Sequence, residues 1–266
     1  MSLGRQWSVI ALVAVATMLA LWLRQRRTRD ASPVDVGWAA LLGAAALFAA
    51  VTGAGDPLRR ALVGVMGGGW GLRLAWHLYT DRVRGRGEDG RYQDLRARLG
   101  SRAQAWFLVF FQFQALLVVL LATPFLLACA AAQPPGGWDL AAVLVWLLAL
   151  GGESCADAQL RRFKADPAHR GRTCTVGLWR WSRHPNYFCE WLMWCAYAAL
   201  AWPGPLGPVA LGAPALLLFL VLKVTGIPPT EARALASRGA DYRRYQRTTS
   251  AFFPWPPRPD PGAGAP

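Results

Sequence analysis

The residues best suited to chemistry in this chain stand in two stretches, 157–164 and Arg183-His-Pro-Asn-Tyr-Phe-Cys-Glu190. In the second, Pro185 has a fixed φ and no N–H to lose, so a helix is predicted to begin there, capped by Ser182 or His184. Asn186 and Glu190, four apart, then share one face near the positive end of that helix. Arg180 and Arg183 stand beside it, which makes the stretch a suitable place for a phosphate or another anion. In the first stretch Asp157 and Lys164 are seven apart with Arg161 between them, so on a continuing helix they line one wall. Carboxylate and amide groups suit ribose hydroxyls or a carboxamide, while ammonium and guanidinium groups suit phosphates. Both stretches read equally as basic, aromatic anchors at a membrane surface, with charged side chains snorkelling to water.

The elements that must position these residues are apolar and long. Of 266 residues, 54% are hydrophobic, and nearly uncharged runs reach membrane-spanning length repeatedly, which predicts an all-α, polytopic integral membrane helical bundle. About seven transmembrane helices are expected, at 7–23, 34–51, 58–79, 106–132, 140–155, 188–202 and 209–224. The basic segments 24–29, 81–102 and 161–183 and the arginine-rich C-terminal segment then fall on one side, placing the N-terminus outside and the C-terminus in the cytoplasm. The formal charge of +14 is thus an orientation signal; no nucleic-acid-binding module or aromatic-basic platform accompanies it, so nucleic acid is not an expected partner. Five cysteines, at 129, 155, 174, 189 and 195, form an odd set without metal-ligand spacing, so neither a disulfide framework nor a metal site is expected. The first apolar run has few preceding basic residues and no clear cleavage site, and reads as a retained helix. Gly67-Gly-Gly69 and Gly71 lack the strand and spacing of a dinucleotide fingerprint; in a membrane they permit close helix contact. The Pro- and Gly-rich end, 257–266, reads as a disordered tail.

The string Gly177-Leu-Trp-Arg-Trp-Ser-Arg-His-Pro-Asn-Tyr-Phe-Cys-Glu190 resembles the C-terminal motif of the DUF1295 family. These membrane proteins are related to the steroid 5-alpha-reductases and, more distantly, to sterol reductases and isoprenylcysteine methyltransferases. Ala156-Asp-Ala-Gln-Leu160 with Phe163-Lys164, Gly226-Ile-Pro-Pro-Thr-Glu231, Tyr242-Arg-Arg-Tyr245 and Thr248-Thr-Ser-Ala-Phe-Phe-Pro254 match in order and spacing. Val34-Asp35 with Trp38, Arg73-Leu74 and Glu88-Asp-Gly-Arg-Tyr92 carry the resemblance upstream. Cys189 departs from it, standing where the family usually has Gly.

The resemblance implies an NADPH-dependent oxidoreductase acting on a CH–CH group. It would reduce a carbon–carbon double bond conjugated to a carbonyl in a lipophilic, steroid- or isoprenoid-like substrate taken from the bilayer. A single membrane domain over 1–256 is expected, with 1–132 on the substrate side and 138–256 on the cofactor side. The implied cofactor set is Asp157, Lys164, Arg183, Asn186, Tyr187 and Glu190, with Glu231, Tyr242, Arg243 and Tyr245 closing over the adenine and its 2′-phosphate. Such a reduction needs a donor on the carbonyl oxygen, where negative charge develops. Tyr79 resembles the substrate-contacting tyrosine of the steroid reductases, and Asp35 is its candidate acidic partner. Taken without the resemblance, Tyr79 reads as an ordinary aromatic-belt residue, and His77 and His184 are further donor candidates that read first as structural or interfacial. The 88–92 cluster takes no chemical step in this scheme beyond bracing a cofactor lid. Two other classes remain open: an S-adenosylmethionine-dependent methyltransferase of the isoprenylcysteine type, and a non-enzymatic lipid-binding membrane protein. The compact basic loops fit a bacterial inner membrane, or the endoplasmic reticulum in a eukaryote.

Overall fold

Apolar segments that meet lipid must satisfy their backbone N–H and C=O groups internally, and helices do this. The computed structural model describes residues 1–260, among which helices are joined by short turns and no strand occurs. The α-helices are α1 Leu3–Thr28, α2 Pro33–Thr52, α3 Pro57–Val63, α4 Gly69–Leu78, α5 Gly90–Leu99, α6 Ala103–Ala130, α7 Gly137–Ala165, α8 Pro185–Ala201, α9 Gly212–Phe219 and α10 Ile227–Thr248. Five stretches are long and apolar enough to cross a membrane: Leu3–Thr28, Pro33–Thr52, Gly90–Ala130, Gly137–Ala165 and Gly207–Thr248. The other two predicted spans are helical too. However, α3 and α4 carry Arg59, Arg60 and Arg73, and α8 is 17 residues long. Most of the expected 257–266 tail, residues 261–266, lies outside the described residues.

Local sequence accounts for the element ends. Asp56 caps α3 by accepting from the Leu58 and Arg59 amides at 2.9 and 3.1 Å, with Pro57 at the first helical position. Asp89 caps α5 in the same way through the Arg91 amide. α8 begins at Pro185, where the His184 amide donates to the Ser182 hydroxyl at 3.1 Å. α7 runs on to Ala165, so the first residues of the predicted 161–183 loop are helical. α10 bends at Gly239, whose φ of 50° interrupts it.

The chain forms two compact units, Met1–Asp139 with Tyr197–Ala213 and Leu140–Ala196 with the chain from Pro214 onward. In the first, α1 packs on α6 and α2 packs on α4 and α6. A Cβ on Gly71 would stand 2.5 Å from the Gly43 Cα, so α2 and α4 meet backbone to backbone. Tyr197 packs edge-on against Phe125 at 4.8 Å and donates its hydroxyl to the Met66 carbonyl, within the π-helical turn Gly64–Gly68. One end of this unit is tied by Arg59, whose Nε and Nη2 donate to Asp139 at 2.6 and 2.9 Å. Its Nη1 reaches the Gln133 carbonyl at 2.8 Å, and the Arg59 side chain is wholly buried.

In the second unit the segment between α7 and α8 folds back onto α7. Gln159 Oε1 accepts from the Leu178 amide at 2.9 Å, and Trp179 Nε1 donates to the Ala156 carbonyl at 2.9 Å. Gly177 permits this approach. Its φ is +60°, and a Cβ there would lie 2.4 Å from the Gln159 amide group.

Candidate functional site

Two polar clusters contain most of the residues singled out from the sequence, one in each unit. In the second unit, the far end of α7 and the first turn of α8 bring Asp157 and Asn186 together, with Asn186 Nδ2 donating to Asp157 Oδ1 at 3.3 Å. Asn186 Oδ1 accepts from the Tyr187 amide at 3.0 Å, and both residues are half-buried. The Tyr187 hydroxyl meets Thr230 Oγ1 at 3.3 Å, and its ring stacks on His184 with centroids 5.3 Å apart. Lys164 and Arg161 are exposed on α7, Arg243 is exposed on α10, and Glu190 is half-buried one turn beyond Asn186.

Glu231 is the centre of a second set in this unit. Its Oε1 accepts from Arg183 Nε at 2.6 Å, from the Tyr242 hydroxyl at 3.3 Å, and contacts His184 Nε2 at 3.3 Å, while its Oε2 accepts from Gln246 at 2.7 Å. Burial on its own would raise the Glu231 carboxyl, but the hydrogen bonds from His184, Arg183 and Gln246 together outweigh it and hold the group down at about 2. Burial, and then the neighbouring Glu231 charge, push the Tyr242 phenol up. Tyr245 is buried and donates to the Trp179 and Ser182 carbonyls, so it fastens the 177–184 segment to α10. Arg183 also donates through Nη1 to the Gln246 carbonyl at 3.1 Å and to that of Thr249. Glu231, Tyr242 and Tyr245 therefore have their polar atoms engaged inside the protein, and Nε and Nη1 of Arg183 are engaged there too. Asp157, Asn186 and Tyr187 keep polar atoms at a half-open surface.

Cys189 is buried against α7. Its sulfur lies 2.7 Å from where a Cβ on Gly152 would stand. The thiol thus fills space that Gly152 leaves open, and the small residue at this helix contact sits on α7 rather than α8.

In the first unit Asp35 does not meet Tyr79. Its carboxylate accepts from Arg82 at 2.9 Å, Arg91 at 2.7 Å and the Tyr92 hydroxyl at 2.8 Å. Beside it, Glu88 accepts from the Ala31 amide at 2.9 Å and from Arg96 at 2.7 Å, and the Asp89 amide donates to Ser32 Oγ at 2.8 Å. The 88–92 cluster therefore ties the chain before α5 to the start of α2, a role its spacing alone did not reveal. Tyr79 opens the π-helical turn Tyr79–Val83, is 40% exposed and packs on Trp76 at 6.1 Å. Its hydroxyl makes no hydrogen bond among the described residues. Arg82, Arg91 and Tyr92 are the partners of Asp35 that sequence reading missed; for the last two the signal was the run of charged and aromatic residues at 88–92.

An all-α protein with several membrane-length apolar helices is thereby defined as an integral membrane protein, and it carries a half-open acid–amide cluster where two of its helices come together. The chain belongs to the DUF1295 family, described as proteins of unknown function, whose model matches residues 21–249 and which forms the steroid 5-alpha-reductase-like group. It is also similar to an uncharacterized protein of Schizosaccharomyces pombe, 28% identical over 267 residues, a match covering 88% of this chain and 75% of that one. No solved structure matches it.

Proposed function

We propose that this protein is a membrane-embedded, NADPH-dependent reductase of a conjugated double bond in a lipophilic substrate that enters from the bilayer. The observation that carries this reading is the pairing of Asp157 with Asn186 at 3.3 Å, half-open, on helices that also display Arg161 and Lys164. This donor set suits a dinucleotide: carboxylate, amide and phenol for hydroxyl and carboxamide groups, cations for phosphates. Asp157, Asn186, Tyr187 and Lys164 would hold the cofactor, with Glu190 on the same face of α8 and Arg243 from α10. NADPH, when bound, supplies the hydride. Arg183, Glu231, Tyr242 and Tyr245 act as positioning residues, fixing the 177–184 segment from which α8 starts.

On the substrate side Tyr79 is the proton donor in this reading. Its free, accessible hydroxyl would hydrogen-bond a carbonyl oxygen as negative charge develops there. Asp35 serves it indirectly: it holds Arg82, which lies on the same π-helical turn as Tyr79. In the membrane we place seven passages, with the N-terminus outside and the C-terminus cytoplasmic, as the basic segments require. The cofactor is then taken from the cytoplasm, across a bacterial inner membrane or that of the endoplasmic reticulum.

The test is the thermal stability of the purified full-length protein with NADPH, NADH and S-adenosylmethionine in turn, repeated on Asn186→Ala and Asp157→Ala. A ligand at 100 times its dissociation constant stabilises by about 2.7 kcal/mol. A shift with NADPH that both substitutions abolish supports the reductase. A shift with S-adenosylmethionine alone overturns it in favour of methyl transfer, and no shift with any of the three leaves a lipid-binding protein without cofactor.

A further inference from the structure

A second polar cavity lies in the same unit, apart from Asp157 and Asn186. It has a volume of about 370 Å³ and is lined by Arg183, Arg247, Thr248, Ser250, Trp255 and Arg258, among others. That volume falls within the range of small-molecule sites and exceeds what a lone water or simple ion fills. Its wall is a strap, 249–258, bound to the entrance of α8. The Arg183 amide donates to the Ser250 carbonyl at 2.8 Å, Ser182 Oγ to the Phe252 carbonyl at 2.8 Å, and the Trp255 amide to the Trp181 carbonyl at 2.9 Å. The Arg258 amide closes the strap on the Thr248 carbonyl at 2.8 Å.

The charge balance of this cavity is positive. Arg183 is matched by Glu231, and Arg244 and Arg247 share Asp260 at 3.1 and 3.2 Å. Arg258 is exposed and has no carboxylate partner among the described residues. The end of α10, which would otherwise repel an anion, is already covered, because Arg183 takes up the Gln246 and Thr249 carbonyls.

Aromatic residues beside the cavity mark its level relative to a bilayer. Phe252 and Phe253 pack on Phe188 and Trp191, in the first turns of α8, with centroids 5.7 to 6.0 Å apart. Phe253, Trp255 and Trp181 are exposed, Trp255 by 64%. Exposed indoles and phenyl rings where an apolar helix begins mark the headgroup level of a bilayer. A cationic pocket at that level, on the arginine-rich side of the protein, faces anionic lipid.

We infer that this cavity is a binding site for the phosphate of an anionic phospholipid headgroup, gripped by Arg258 and Arg247 and flanked by the Trp255 indole. Ser250 and Thr248 add hydroxyl groups to the wall, and the acyl chains follow the Phe253 side of the strap into the bilayer. The site does not depend on the reductase reading, since neither Arg247 nor Arg258 belongs to the cofactor set.

The experiment measures the melting temperature of the full-length protein in a neutral detergent, titrated with dihexanoyl-phosphatidylglycerol, dihexanoyl-phosphatidylcholine and inorganic phosphate. The variants are Arg258→Glu, Arg258→Gln and, as a charge control elsewhere, Arg86→Glu. Arg258 is exposed and its side chain holds nothing in place, so these variants fold. Saturable stabilisation by phosphatidylglycerol is expected, absent with phosphatidylcholine, and shifted to concentrations on the order of tenfold higher in both Arg258 variants, as loss of one charged hydrogen bond predicts. Arg86→Glu should leave it unchanged. Equal responses to the two lipids, or equal loss in Arg86→Glu and Arg258→Glu, would overturn the site. Stabilisation by inorganic phosphate to the same extent at the same concentration would overturn the lipid as its source. Displacement of phosphatidylglycerol by NADPH, with NADPH affinity lost in Arg258→Glu, would reassign the cavity to the dinucleotide.

Discussion

Glu231 offers a perturbation whose sign and size follow from the structure. Its carboxyl is held at about 2 in the folded protein against an ordinary 4.5, so the unfolded chain binds its proton more readily. The group therefore stabilises the fold fully above pH 4.5, and that contribution is lost as pH falls through about 2. A displacement of that size corresponds to about 3 kcal/mol at neutral pH, since one unit is about 1.4 kcal/mol. With the side chain 12% exposed, water reaching the network lowers this to about 2–3 kcal/mol. At pH 3 only about 1 kcal/mol remains. Glu231→Gln keeps the shape but removes the titration, leaving the Arg183 guanidinium without its counter-charge. The assay is tryptophan-fluorescence melting of wild type and variant at pH 7 and pH 3; carboxyl groups common to both cancel in the difference. The gap between the two melting temperatures should narrow by about 2–8 °C on going to pH 3, since about 1–2 kcal/mol is lost and each kcal/mol is about 2–4 °C for a chain near this size. A gap of the same size at both pH values would refute the reasoning.

Arg59→Leu breaks a buried, bidentate ion pair and strands Asp139, which should cost about 3–5 kcal/mol in urea or thermal unfolding, while Arg59→Leu with Asp139→Leu recovers most of it. Gly177→Ala forces a side chain into positive φ and against Gln159, for a loss of about 1–3 kcal/mol; adding Gln159→Ala relieves the contact and should recover only part of it, as melting shows. On the proposed reductase reading, Tyr79→Phe should lower the rate on an enone substrate by about 10²-fold or more. Tyr92→Phe should instead lower stability by about 1–2 kcal/mol with the rate largely kept.

The helical class and the start of α8 were legible because both rest on local physics. Apolar runs of spanning length admit little but helix in lipid, and Pro185 after Ser182 and His184 carries its own start signal. Side-chain pairing was not legible, because it is set by packing between distant segments. Arg59 and Asp139 are 80 positions apart, and each looks alone like an ordinary charge at a turn. Asp35 was matched to Tyr79 by position, yet the tyrosine that reaches it is Tyr92, in the first turn of α5, together with Arg82 and Arg91. Cys189 read only as a departure from the family resemblance. In the structure its sulfur occupies the space that Gly152 leaves at the contact between α7 and α8.

The same packing divides the candidate cofactor residues in a way their chemical types do not. A carboxylate that already accepts from Arg183, Tyr242 and Gln246 and contacts His184 has its charge compensated inside the protein, and gains little from one more hydrogen bond. Glu231 and Tyr245 are therefore expected to act on the ligand through the position of the 177–184 segment. Asp157 and Asn186 hold each other by one 3.3 Å hydrogen bond, a contact weak enough to yield to a better partner. Substitutions in the two sets should separate on one plot of melting temperature against NADPH affinity. Glu231→Gln and Tyr245→Phe would move chiefly along the stability axis, and Asp157→Asn and Asn186→Ala chiefly along the affinity axis. If all four fell on a single line, affinity would follow global stability, and the half-open pair would lose its claim to touch the ligand.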